Sequence, residues 1–227
     1  MLGAALADYL ESPVEFLCYA AVALAAYLLG SIPTGFLVAQ LKGIDIRKVG
    51  SGNIGATNAL RILGKPAGIF VLLMDALKGW LAVVPLTQLI LIALGQPQSG
   101  TLGETSSIVA GVGAILGHNY TCWLGFKGGK GIATSAGVLL ALVPWALLII
   151  FITWIVVFAS TRYVSLGSLA ASAVLPFASW LTHESLAKVI VTGAMGALAI
   201  YKHKGNIQRL LAGTEPRVGR KSAEVLK

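Results

Sequence analysis

Apolar residues run through almost the whole chain in long blocks, and short polar islands separate them. A helix needs about 20 apolar residues to cross the hydrocarbon core of a bilayer. Residues 16–41 and 67–95 reach that length, 106–120 forms a shorter, glycine-laced run, and 132–160, 165–181 and 185–201 follow. Gly30-Ser31-Ile32-Pro33-Thr34-Gly35 interrupts the first run and predicts a helix opened near one membrane face. Pro144 stands in the middle of 132–160. Proline removes a backbone donor and commonly breaks a helix, so this run is predicted to split into two short, tilted or half-buried helices. The pattern predicts an all-α integral membrane protein with seven transmembrane helices, some of them short or broken.

Charge orients the helices. The loop 42–65 holds Lys42, Arg47, Lys48, Arg61 and Lys65 against one acid, Asp45, and residues 202–227 hold seven Lys or Arg against Glu215 and Glu224. Segments 96–105 and 182–184 carry only Glu104 and Glu184. Basic loops stay on the cytoplasmic side. The rule places loop 42–65, the Lys127/Lys130 loop, Arg162 and the tail inside, and it requires two crossings between Lys130 and Arg162. Three regions follow: a short extracytoplasmic N-terminal segment (1–15), a seven-helix membrane domain (16–204) and a basic cytoplasmic tail (205–227).

Composition supports the class. Of 227 residues, 56% are hydrophobic and 11% charged, with a mean hydropathy of +0.83, far from an ordinary soluble domain. The formal charge of +8 does not point to nucleic acid, because no aromatics interleave with the basic residues. Loop and tail cations are expected to meet anionic lipid. Two cysteines, Cys18 and Cys122, offer neither a disulfide framework nor a metal site. The first fifteen residues carry Asp8, Glu11 and Glu15 and no cation, the reverse of a signal-peptide n-region.

The polar islands all fall on the predicted cytoplasmic side, where active-site loops are expected. The first, Gly50-Ser51-Gly52-Asn53-Ile54-Gly55-Ala56-Thr57-Asn58-Ala59-Leu60-Arg61, concentrates glycines, hydroxyls, amides and a cation, a mixture suited to phosphate oxygens. It matches G-x-G-x-x-G by letter, but no βαβ unit surrounds it, so a dinucleotide site is not the reading. The second island ends in Phe126-Lys127-Gly128-Gly129-Lys130-Gly131. Leu124 stands where a Walker A loop needs Gly, and Gly131 where it needs Ser or Thr. What remains is either a pair of topology-setting lysines or a nest of backbone donors with a lysine as point charge; three glycines favour the nest. Arg162-Tyr163-Val164-Ser165 and Tyr201-Lys202-His203-Lys204-Gly205-Asn206 complete the set. A lone His118 or His203 near a span end is ordinarily an interfacial hydrogen-bonding residue. Asp75 and Lys78, spaced i,i+3 in an apolar run, are read as a buried structural pair, since one unpaired charge there costs roughly 2.5–3.5 kcal/mol. No Asp-rich motif offers Mg²⁺ ligands, and no histidine is followed by aspartate at H-x4-D spacing. Positioning and charge stabilisation are therefore expected to carry the chemistry.

Gly30-Ser31-Ile32-Pro33, the Gly50–Asn58 island with Arg61, Gly117-His118 with Phe126–Gly131, Arg162-Tyr163-Val164-Ser165 and His203-Lys204-Gly205-Asn206-Ile207 together resemble the acyl-phosphate:glycerol-3-phosphate acyltransferases of bacterial inner membranes, the PlsY type. The resemblance covers roughly residues 20–212. It implies transfer of a fatty acyl chain from acyl phosphate to glycerol 3-phosphate, giving lysophosphatidic acid and phosphate in phospholipid synthesis, without cofactor or metal. It also implies a functional link to an enzyme that makes acyl phosphate. By the same resemblance Ser51, Asn53, Thr57 and Lys130 are expected as catalytic residues, and Arg61, Gly128, Gly129, Ser165, His203 and Asn206 as substrate-binding ones. Lys130 and the amides of Gly128 and Gly129 are assigned to the acyl-phosphate group, and Arg61, Ser165, His203 and Asn206 to glycerol 3-phosphate. The family is thought to need no protein base, a substrate phosphate taking the hydroxyl proton. Two alternatives stay open: an acylated Ser51 or Ser165 activated by Lys130 or His203, and, in a different class, an organophosphate transporter or exchanger with its anion site near mid-bilayer.

Overall fold

The computed structural model describes residues 13–219, and every regular element among them is helical. Helices form over each predicted apolar run: α1 (Pro13–Ser31) with α2 (Thr34–Gln40), then α3 (Ala56–Leu63), α4 (Lys65–Leu81) continued by α5 (Thr87–Ala93), and α6 (Gly100–Asn119). After these come α7 (Ile132–Leu142), α8 (Pro144–Thr161), α9 (Val164–Leu181), α10 (Leu186–Lys202) and α11 (Lys204–Leu211). Four helical stretches, Pro13–Gln40, Lys65–Ala93, Pro144–Thr161 and Val164–Leu181, are long and apolar enough to cross a membrane.

The predicted breaks are present. The chain leaves α1 at Ser31 and resumes at Thr34. The freed carbonyls find side chains: the Lys78 ammonium donates to Ile32 at 2.8 Å and the Thr121 hydroxyl to Ser31 at 2.6 Å. At Pro144 the run divides into α7 and α8, with Val143 between them outside helical geometry. Pro85 causes a third, unpredicted irregularity. It sits in a π-turn over Ala82–Leu86, and the Thr87 hydroxyl donates to the Ala82 carbonyl at 2.9 Å. A wide turn of this kind absorbs the missing proline donor without ending the helix.

Close backbone approach holds the bundle together. Helix α1 packs on α6, α4 on α7, and α9 on both α8 and α10. A Cβ on Gly30 would lie 2.1 Å from the Ala114 carbonyl, and one on Gly117 would lie 2.2 Å from that of Tyr27, so the α1–α6 crossing requires both glycines. Membrane helices commonly associate this way, through small residues. Val22, Ala26, Val83, Ile115, Val138, Leu139 and Leu175 form the main core. A second apolar cluster, Ala39, Ile46, Ile54, Ala59 and Val71, lies under the first polar island and ties it to α2, α3 and α4. The outer surfaces are apolar as well: α8 buries only Ala146 and Ile150, while Phe151, Ile155 and Val156 face outward. Such a surface suits lipid, not water.

The segment expected as a basic tail begins in a helix. Residues 204–211 form α11, and the strand of chain after it folds back, the Val218 amide donating to the Arg162 carbonyl at 3.0 Å. Asn206, Glu215 and Val218 tie this segment to the bundle, while residues 211–214 and 216–219 are exposed. Residues 1–12 of the expected N-terminal segment, and Arg220 to Lys227 of the expected tail, lie outside the described residues.

Candidate functional site

The first island is shaped by one buried amide. Asn58, 2% exposed, donates through Nδ2 to the carbonyls of Ile46 (3.3 Å), Val49 (3.1 Å) and Asn53 (2.9 Å), and its Oδ1 accepts from the Ser51 amide at 3.0 Å. This fits the two positive-φ glycines, Gly50 and Gly52, that bend the loop around it. Asn53 stabilises the same loop, its Oδ1 accepting from the Gly55 amide at 2.8 Å. Ser51, Thr57 and Arg61 are exposed on the outside of this scaffold, with Thr57 and Arg61 one turn apart on α3.

The remaining islands converge where α6, α8 and α10 end and α7 and α9 begin. Lys130 donates to Asn206 Oδ1. Asn206 Nδ2 donates to Glu215 Oε1 at 2.6 Å, the Ser165 hydroxyl donates to the same oxygen at 2.6 Å, and Arg209 Nε binds Glu215 Oε2 at 2.7 Å. His203, 3% exposed, contacts the Ala199 carbonyl through Nδ1 at 2.7 Å, which places the ring proton on Nδ1 and leaves Nε2 as an acceptor. Lys202 reaches the Asn119 carbonyl at 3.1 Å. Lys130, Ser165, His203 and Asn206, far apart in sequence, thus form one cluster, with Arg61 close enough to act on Lys130 by its charge. Among the described residues, Ser51, Asn53 and Thr57 share no hydrogen bond with it.

The electrostatics fit an anion receptor. Burial is the largest influence on Lys130 and, with Arg209, Arg61 and Lys202 nearby, lowers its pKa to about 8 against the opposing pull of Glu215. Burial and then Lys130 push His203 down to about 4. Burial opposes ionisation of Glu215, but hydrogen bonds from Ser165, Asn206 and Arg209 outweigh it and hold the carboxyl below its usual range. A neutral His203, a charged Lys130 and an ionised Glu215 coexist at neutral pH.

Two expectations are corrected here. The amides of Gly128 and Gly129 donate to the carbonyls of Asn119 (3.2 Å) and His118 (3.0 Å), so in this conformation they position the loop and do not point at a phosphate. Glu215, with Arg209 bound to it, was not among the expected site residues. Its only sequence signal is a lone acid within a basic stretch, Gly213-Thr214-Glu215-Pro216-Arg217. Asp75 and Lys78 do pair, at 2.8 Å, and His118, expected to be interfacial, is instead buried beside them.

These features define a multi-pass integral membrane protein with a cluster of cations and polar side chains at one end of its bundle. The model of a family described as glycerol-3-phosphate acyltransferase matches residues 20–213, and the chain belongs to that family. It is 48% identical to glycerol-3-phosphate acyltransferase 2 of Moorella thermoacetica over 198 residues, covering 87% of this chain and 96% of the relative. It is 46% identical to the glycerol-3-phosphate acyltransferase of Synechococcus sp. (strain JA-3-3Ab) over 203 residues, covering 89% and 94%. Its fold is similar to the crystal structure of PlsY (YgiH), an integral membrane glycerol 3-phosphate acyltransferase, in its glycerol 3-phosphate form. The TM-score is 0.77 at 40% identity, covering 87% of this chain and 94% of that one. The lysophosphatidic acid form of PlsY gives 0.74 at 39% identity.

Proposed function

We propose that this protein transfers a fatty acyl group from acyl phosphate to glycerol 3-phosphate, giving lysophosphatidic acid and inorganic phosphate. Family membership supports the transfer and the acceptor. The observation that carries the donor assignment is the Lys130–Asn206–Ser165–Glu215–Arg209 cluster with Arg61 beside it, which offers cations and neutral donors for more than one phosphate group. Lys130 holds the acyl-phosphate group and stabilises the departing phosphate. Arg61, Ser165, His203 and Asn206 grip glycerol 3-phosphate, and Ser51, Asn53 and Thr57 shape the adjoining wall with the loop geometry that Asn58 sets. Gly128 and Gly129 contribute by letting the loop lie flat on α6.

In the chemical step a glycerol hydroxyl oxygen attacks the acyl carbon, the bond from that carbon to the phosphate oxygen breaks, and the hydroxyl proton passes to a substrate phosphate. The site supports this substrate-assisted route. A histidine held near pKa 4 is a weak base, and a carboxylate already accepting three hydrogen bonds is a weaker one still. Lys130, with its pKa at about 8, stays mostly protonated at neutral pH and serves as a cation, and the Ser165 hydroxyl is directed to Glu215, so direct transfer is preferred to an acyl-serine. Fixed charges at a low-dielectric edge stabilise the developing phosphate without reorganising. No step requires metal, and chelators are expected to leave the rate unchanged.

An apolar cavity of about 100 Å³ lies among α7, α8, α9 and α10, lined by Ile132, Leu139, Ile150, Trp154, Leu175 and Met195. Ile132 is two residues from Lys130, so an acyl chain entering here leaves its phosphate at the cluster. With basic loops retained inside, the six runs, one of them split at Pro144, make seven crossings, the membrane is the bacterial inner membrane and the site faces the cytoplasm. An enzyme that makes acyl phosphate is the expected functional neighbour. Purified protein supplied with glycerol 3-phosphate is expected to release phosphate and lysophosphatidic acid from acyl phosphate and to leave acyl-CoA unused. Product from acyl-CoA at an equal rate would remove the donor assignment.

A further inference from the structure

Behind the glycine loop lies a buried polar group that the reaction above does not use. Asp75 on α4 pairs with Lys78 at 2.8 Å, their side chains 2% and 6% exposed. Nδ1 of His118, at the end of α6, lies 3.6 Å from the same Asp75 oxygen. Replacing a buried ion pair by apolar residues is often neutral or stabilising, so stability alone is a weak reason for this one. Its placement suggests another. His118 presents its opposite nitrogen, Nε2, to the loop: a Cβ on Gly129 would sit 2.1 Å from it, and one on Gly128 would sit 2.0 Å from the His118 carbonyl. That carbonyl also receives the Gly129 amide. Asn119 continues the platform, buried, with its Oδ1 2.7 Å from where a Gly131 Cβ would stand. The ring of His118 is thus clamped between a carboxylate and the backbone that immediately precedes Lys130.

We infer that Asp75 and His118 are positioning residues for Lys130: Asp75 holds the imidazole in one orientation, and the imidazole sets the height of the Gly128–Gly129 backbone. Lys78, bonded both to Asp75 and to the Ile32 carbonyl in the α1–α2 break, fixes the carboxylate in turn. The inference rests on the assignment of Lys130 to the acyl-phosphate group. Misplacing a reacting or stabilising group by about 1 Å can cost about 10²-fold in rate.

A double-mutant cycle on the full-length protein in lipid nanodiscs tests it, with kcat and KM measured for both substrates in wild type, Asp75→Asn, Lys130→Ala and the pair. Asp75→Asn is expected to lower kcat/KM for acyl phosphate by about 10–100-fold when Lys130 is present. Its effect should shrink to about twofold or less when Lys130 is already alanine, because a residue acting through Lys130 has nothing left to act on. Equal factors in both backgrounds, or no effect in either, would overturn the inference. If Asp75→Asn does not fold, His118→Asn replaces it in the cycle. Its amide keeps a donor facing Asp75 but vacates the space against Gly129, so the same non-additive loss is expected and the same additive result is contrary. Near-wild-type activity of Lys130→Ala would instead sink the Lys130 assignment itself, and this inference with it.

Discussion

Lys130 joins the most observations: a half-buried cation bonded to Asn206, surrounded by Arg61, Arg209 and Lys202, and balanced by Glu215. Removing one such transition-state stabiliser typically costs 10²–10³ in rate. Lys130→Ala and Arg61→Ala are each expected to fall by about that factor while the protein stays folded, as kinetics and thermal melts on the same preparations will show. The ammonium must be charged to hold phosphate, and its pKa lies at about 8, so kcat/KM should decline as pH rises through that value. Lys130→Arg should move the alkaline limb upward. Glu215 favours the charged lysine, so Glu215→Gln should move the limb downward and also loosen Ser165, Asn206 and Arg209. A pH–rate profile of the three proteins checks both signs. Lys130, Ser165, His203 and Asn206 were legible in the sequence because each lies in a polar island at the end of an apolar run. Glu215 was not, since a carboxylate in a basic segment looks the same whether solvated or folded into a site. Asn58 was visible as a motif letter, but its four hydrogen bonds exist only once the loop closes.

Among the elements, proline and glycine carried the readable signals. Pro33 and Pro144 announced the two breaks because each costs a helical hydrogen bond. Pro85 announced nothing, since a π-turn and the Thr87 hydroxyl absorb it and the hydrophobic run continues. The glycine loop was read as a nest of free amides, whereas its amides bind α6; composition can indicate that backbone must approach something closely, not what it approaches. The structure makes that distinction testable. Gly129→Ala drives a methyl into the His118 ring and is expected to lower kcat/KM at least tenfold, by the same misplacement argument. Gly95→Ala, at a positive-φ turn with open space around it, should leave turnover unchanged. Steady-state kinetics of the two substitutions, at matched protein stability, separates close packing from general backbone strain.

For the molecule as a whole, charge supplies the topology and apolar length supplies the helices. In a background with Cys18 and Cys122 replaced, cysteine at position 104 should label from the outside and cysteine at 162 from the inside; labelling of both from one side would contradict seven crossings. On the proposed reading, that arrangement brings the polar islands to the cytoplasmic face, where a water-soluble acceptor would meet a donor whose chain lies among α7, α8, α9 and α10. The central claim is that the acyl group passes directly between two substrates held together at the Lys130 cluster. Rapid mixing of purified protein with acyl phosphate alone, followed by addition of glycerol 3-phosphate, tests it most directly. The account predicts no early phosphate burst and no acylated protein, then phosphate and lysophosphatidic acid appearing one for one after the acceptor arrives. A stoichiometric phosphate burst with acyl-serine on the protein before that addition, formed at the rate of turnover, would contradict it.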